Sequence, residues 1–158
     1  MNATSDVERR PPPFAQILLV AVVLAASVIG MPRAAVADPS DDASATVSMI
    51  NDARWRYGLG GLVPDRELQV LANRQANRMA DAGRIFHSGD LGYQLSSGWW
   101  AWAENVGYGP SVGWIHGAFM NSDYHASNLL GVSYNYVGVG VAYGADGNVY
   151  VAEVFGAW

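Results

Sequence analysis

The chain has 158 residues, nine arginines, no lysine, fourteen acids and a net charge of −5, enough length for one domain with its own core. It has no cysteine, which excludes disulfides, a Cys nucleophile, Cys-ligated zinc and iron–sulfur clusters. An acidic chain with no basic run argues against nucleic acid as a partner, because phosphate binding relies on Lys and Arg releasing counterions, and equally against strong attraction to anionic lipid.

Arg9 and Arg10 precede three prolines, and an uncharged apolar run follows from Phe14 to Ile29. That run has the length of a signal-peptide core and is short for a transmembrane helix. Ala35 and Ala37 satisfy the small-x-small cleavage rule, so residues 1–37 read as a signal peptide cut after Ala37, leaving no transmembrane segment. The alternative is an uncleaved N-terminal anchor. Secretion by the general or the twin-arginine route stays open, since the prolines after Arg10 fit the latter poorly. The cut leaves six arginines of the nine and twelve acids of the fourteen, a net charge of −6, and all six tryptophans.

Residues 38–44 are polar and read as a short mobile lead-in, with Ser40 or Ser44 as helix cap. The domain proper reads as 45–158. Val47, Ile50, Arg54 and Tyr57 recur at helical spacing until Gly58, Gly60 and Gly61 stop the helix. Asp65 caps a second helix whose stripe is Leu68, Leu71, Ala72, Gln75, Ala76, Met79 and Ala80, ending at Gly83. His87 lies in the loop behind it, and a Gly- and Ser-rich loop runs from Leu91 to Gly98. Trp99, Trp100 and Trp102 cannot all point one way in extended backbone, so they read either as core seal or as an aromatic wall beside a cleft.

Residues 103–108 form a short strand carrying Glu104, and Ser111 caps a helix to about Asn121 with Val112, Ile115, Phe119 and Trp114 turned inward. A helical turn from Asp123 to Leu130 carries His125. The residues from Tyr136 to Tyr143 and from Val149 to Phe155 form an antiparallel hairpin around Asp146-Gly147, the glycines of the first strand marking close backbone approach or a bulge. Helices first and strands last give an α+β class.

The order of these motifs resembles the CAP superfamily, also called the SCP domain, of cysteine-rich secretory proteins. The residues that carry the resemblance are Ile50-Asn51, Arg54, Gly58-Leu59, Leu62, Leu68, Ala72, Ala76, His87-Ser88, Glu104-Asn105-Val106, His125, Asn128-Leu129-Leu130, Val137-Gly138-Val139-Gly140 and Phe155-Gly156. They span nearly all of the chain after residue 38 and are most similar to the short, cysteine-free bacterial branch. The resemblance implies a three-layer α–β–α sandwich with a cleft lined by two histidines and two acids. His87, Glu104 and His125 match three of the four, while Ser122, three residues after Phe119, stands at the expected second acid. It also implies that zinc or another divalent cation is a candidate at the cleft.

Two imidazoles and a carboxylate form a ligand set that zinc accepts, and His87, Glu104 and His125 are the metal candidates. A Ser-His-acid set is the metal-free enzymatic reading, with Ser88 or Ser122 as nucleophile, but no Gly-x-Ser-x-Gly elbow is present. The binding reading makes His87, Glu104, His125 and Ser122 a polar floor and Trp99, Trp100 and Trp102 a rim, for a small ligand, lipid, peptide or envelope component. A purely structural reading has the three residues locking loops together. The expectation is a secreted or envelope-associated binding module without catalysis; the alternative is a divalent-metal-dependent hydrolase, peptidase or esterase-like, using the same cleft.

Overall fold

The computed structural model describes residues 38–158; the expected signal peptide and its cleavage point lie outside the described residues. Helix α1 spans Pro39–Arg56. The segment 38–44, expected as a mobile lead-in, is instead the N-cap and first turns of this helix. Asp38, and not Ser40 or Ser44, is the cap, accepting from the Ser40 N–H at 2.9 Å. Pro39 sits at the start, where a missing N–H leaves no bond unmade, and Ala43 is already buried in the core. Tyr57, expected on the inner stripe, is exposed.

Arg54 is on that stripe and is buried. Its guanidinium donates to the carbonyls of Gly60 (2.8 Å), Leu129 (3.0 Å) and Gly131 (2.8 Å), tying α1 to two distant turns. A two-residue strand, β1 (Val63–Pro64), leads into α2 (Arg66–Ala82). Asp65 caps α2 through the N–H groups of Glu67 and Leu68, and Gly83 ends it in the left-handed conformation. A short helix, α3 (Leu91–Gln94), occupies part of the expected loop. Strand β2 (Ala101–Gly109) is followed by α4 (Val112–Met120), α5 (Asp123–Leu129), β3 (Tyr136–Tyr143) and β4 (Val149–Ala157).

The sheet order is β1-β3-β4-β2, with β1 parallel to β3 and the other pairs antiparallel. Alternation along β4 sends Tyr150, Ala152 and Val154 to α2 and Val149, Val151 and Phe155 to the opposite layer, where Ile50, Ile115, Phe119 and Leu129 meet them. This is the three-layer α–β–α sandwich with a C-terminal hairpin. On the α2 side, the helix backbone lies almost on β3. A Cβ on Gly138 would fall 2.1 Å from the Leu68 carbonyl carbon, and one on Gly140 2.1 Å from the Ala72 carbonyl oxygen. Close approach is therefore the reason for these glycines.

β1 covers only Tyr136 and Val137 of β3. At the next outward-facing position the Gln69 side chain takes over. Its amide donates to the Val139 carbonyl and its oxygen accepts from the Val139 N–H at 3.3 Å. Trp114, expected inward, is exposed on α4. Among the described residues, no helix is long and apolar enough to cross a membrane.

Candidate functional site

β2 is an edge strand, so a side chain on it can be reached from either layer. Glu104 and Asn105 point to opposite faces by simple alternation. Glu104, 5% exposed at its side chain, turns to the α2 layer and meets the loop that leaves that helix. Its Oε2 accepts from His87 Nδ1 (2.8 Å) and the Ser88 N–H (2.9 Å), and its Oε1 from Ser88 Oγ (2.7 Å). A carboxylate oxygen can only accept, so Nδ1 of His87 is the donor; the His87 side chain is 51% exposed.

Asn105 turns to the other layer and anchors α5. Its Nδ2 donates to the His125 carbonyl (3.2 Å), and its Oδ1 accepts from Asn128 Nδ2 (2.9 Å). His125 stacks on Phe119 at 4.8 Å between ring centroids, and its Nδ1 shares a hydrogen bond with Ser122 Oγ at 2.8 Å. Burial lowers the pKa of His125, and the charge of His87 lowers it further. Two adjacent residues of one edge strand thus hold the two histidine-bearing segments, one from each side.

The structure separates the three tryptophans. Trp99 is buried and donates through Nε1 to Glu67 Oε2 at 2.9 Å. Of the two readings of this ring, burial against Glu67 and Trp158 matches the core seal and not an open wall. Trp100 is 63% and Trp102 45% exposed. Of the three, Trp102 is the one on the strand face that carries Glu104, resting on Gly92 of α3.

The metal expectation does not fit this geometry. Among the described residues no group of three or more His, Cys, Asp or Glu side chains is arranged to hold an ion. Both oxygens of Glu104 accept from His87 and Ser88, so Glu104 orients His87 and is not itself aimed as a ligand. The Ser-His pairing is present at Ser122–His125, but it uses Nδ1, and among the described residues no carboxylate is hydrogen-bonded to the far ring nitrogen, as a triad requires.

Sequence reasoning left Glu153 without a place. It is fully buried on β4 opposite Asn105, its Oε2 accepts from Asn105 Nδ2 (3.0 Å), and its Oε1 has no partner among the described residues. Burial pushes its pKa up to about 8, against a smaller lowering by the Asn105 bond. Glu153 therefore supports Asn105 from the neighbouring strand, inside the core. The signal in sequence was a lone acid in the apolar run Val149–Phe155. Asp123, the other acid near the missing position, is exposed at the start of α5.

A family model described as the cysteine-rich secretory protein family, CAP, matches residues 47–155. No curated protein matches the chain's sequence. Among solved structures, an outer surface protein of Borrelia burgdorferi superposes with a TM-score of 0.70 at 19% identity, over 77% of this chain and 96% of that one. A cysteine-rich secretory protein of Staphylococcus aureus gives 0.66 at 27% identity, over 78% of this chain and 40% of that one. An extracellular SCP-domain protein of Bacillus anthracis gives 0.66 at 23% identity, over 76% and 41%. The chain thus matches less than half the length of the latter two proteins.

Proposed function

The chain belongs to the cysteine-rich secretory protein family, and from that premise we propose that it is an exported, non-catalytic binding or interaction domain acting at the cell envelope or beyond it. In this reading residues 1–37 are removed on export and 38–158, with the first turns of α1 included, are the working domain. Its recognition surface is the cleft floored by His87, Glu104, Ser122 and His125, with Trp102 and Trp100 at the margin. The printed descriptions of the three related structures, as outer surface, secretory and extracellular proteins, support the location.

One observation carries the binding reading. Glu104 spends both oxygens on the neighbouring loop, while the histidines on either side keep a ring nitrogen free of protein partners among the described residues. A general base or a ligating carboxylate needs a free lone pair aimed at its target. Glu104, accepting from three donors of its loop, fixes the His87 imidazole, while Ser122 and Phe119 hold that of His125, which favours two preset polar groups for binding. The test follows the His87 and His125 ring signals by NMR while soluble cell-wall fragments, lipid vesicles and peptides are added in turn. A true ligand shifts both rings, and the shift is lost in Glu104→Gln. Peptide or ester turnover that vanishes with the same substitution would instead make the cleft an active site.

A further inference from the structure

The second aromatic site lies where the α2 N-terminus meets the end of the sheet. Asp65, Glu67, Ser96, Trp99, Tyr136 and Trp158 line a notch of about 360 Å³ there. None of the cleft residues belongs to it. We propose that this notch binds a methylated organic cation, of the quaternary ammonium kind, through its ring faces and the charge of Glu67.

Three observations converge. The first is ring geometry. The Trp99 ring is perpendicular to those of both Tyr136 (89°, centroids 5.6 Å) and Trp158 (89°, 5.1 Å), and all three rings border the notch. Ring faces carry negative potential, and a cation within about 6 Å of a centroid is attracted to them. The second is that Trp158 is held in place although it is 60% exposed. Its ring packs so tightly over Gly98 that a Cβ there would fall 2.6 Å from it. A large exposed ring wedged in position is preorganised for contact, which lowers the ordering cost of binding.

The third is charge. The lining includes two carboxylates and no Lys, Arg or His. Burial works to raise the pKa of Glu67, but hydrogen bonds from Trp99 and Ser96 outweigh it and hold the group below its ordinary value. The negative charge therefore stands beside the rings at neutral pH. Three of its four lone pairs are already engaged. Oε1 accepts from the Ser96 N–H (2.6 Å), and Oε2 from Ser96 Oγ (2.8 Å) and Trp99 Nε1 (2.9 Å). Asp65 spends Oδ1 on the first amides of α2. A primary ammonium or guanidinium would bring N–H donors that need acceptors of their own. A methylated ammonium brings none, so Coulomb attraction and π-faces suffice.

The test titrates choline into the protein and reads tryptophan emission together with the indole N–H NMR signals. The proposal expects a saturable response that moves the Trp158 signal. It also expects binding weaker by roughly tenfold for the uncharged tert-butyl isostere of choline and for Trp158→Leu, the size of a desolvated cation–π contact. The isostere experiment uses the unaltered protein, so it stands even if the variant misfolds. Phosphatidylcholine vesicles competed off by free choline identify a lipid headgroup as the source; response to free choline alone identifies a soluble cation. No saturable response, equal binding of the isostere, or full affinity in folded Trp158→Leu overturns the proposal.

Discussion

Asn105 and Glu153 face each other across β2 and β4, their side chains 3.0 Å apart, so the amide that anchors the His125 segment rests on a fully buried acid. The arrangement makes stability depend on pH in an unusual direction. The pKa of Glu153 is raised from 4.5 to about 8, so between those values the folded chain keeps a proton that the unfolded chain has lost. Stability is fully present below pH 4.5 and falls as pH rises toward 8, with a limiting slope of about 1.4 kcal/mol per pH unit. Urea denaturation across that range should show the decline, and Glu153→Gln should flatten it. A wild-type curve flat from pH 5 to 8 would contradict the burial argument.

His125 gives the opposite sign. Its folded pKa lies below the ordinary 6.5, through burial first and the His87 charge second. The unfolded chain therefore takes up its proton first as pH falls, and the contribution of neutral His125 is present above that value and lost below it. Replacing His87 with Gln should raise the His125 pKa, read from its ring NMR titration. No change would mean that the two rings do not sense each other.

Glu104→Gln keeps the shape but offers an NH₂ where Ser88 and His87 both donate. Unsatisfied partners of this kind cost about 1–3 kcal/mol each. The expected loss is about 2–4 kcal/mol in chemical denaturation. Hydrogen exchange at the Ser88 amide should quicken more than exchange in the core of α2, because the damage is local.

Gly140→Ala places a methyl group against the Ala72 carbonyl oxygen, where backbone and not a flexible side chain must yield. Overpacking costs about 1–3 kcal/mol and sometimes more, and this site belongs at the upper end. The thermal midpoint should fall clearly below that of Gly113→Ala, whose added Cβ meets nothing within 4 Å.

Arg54→Met retains much of the buried stem but deprives three carbonyls of their donor. The expected cost is about 3 kcal/mol or more. Exchange should rise at the turns around Gly60 and Gly131 before it rises in the sheet.

Local chemistry was readable in the chain. The Asp65 cap, the α2 stripe, the Gly83 stop and the β3–β4 hairpin rest on neighbours a few residues apart, and the structure has them all. The order of His87, Glu104 and His125 suggested a family but not their bonding. The two-residue β1 carries no periodicity of its own. The Glu153–Asn105 contact depends on strand register across 48 positions, which no local pattern encodes. The direction of Trp99 was equally hidden, because its partner Glu67 comes from the start of α2. Polar residues on both sides of Pro39 offer several capping choices, and the fold selects Asp38 among them.

Gln69 has a bearing on how the molecule behaves in a crowd. Beyond β1, the outer rim of β3 would present a bare backbone rung at Val139, the kind of template on which another chain can lay itself and start a fibril. The Gln69 amide already fills that rung, donor to acceptor and acceptor to donor. A thiol-free protein that cannot staple its rim shut thus entrusts colloidal safety at this point to one side chain, and Gln69→Leu should shorten its shelf life in concentrated solution well before it changes the melting temperature.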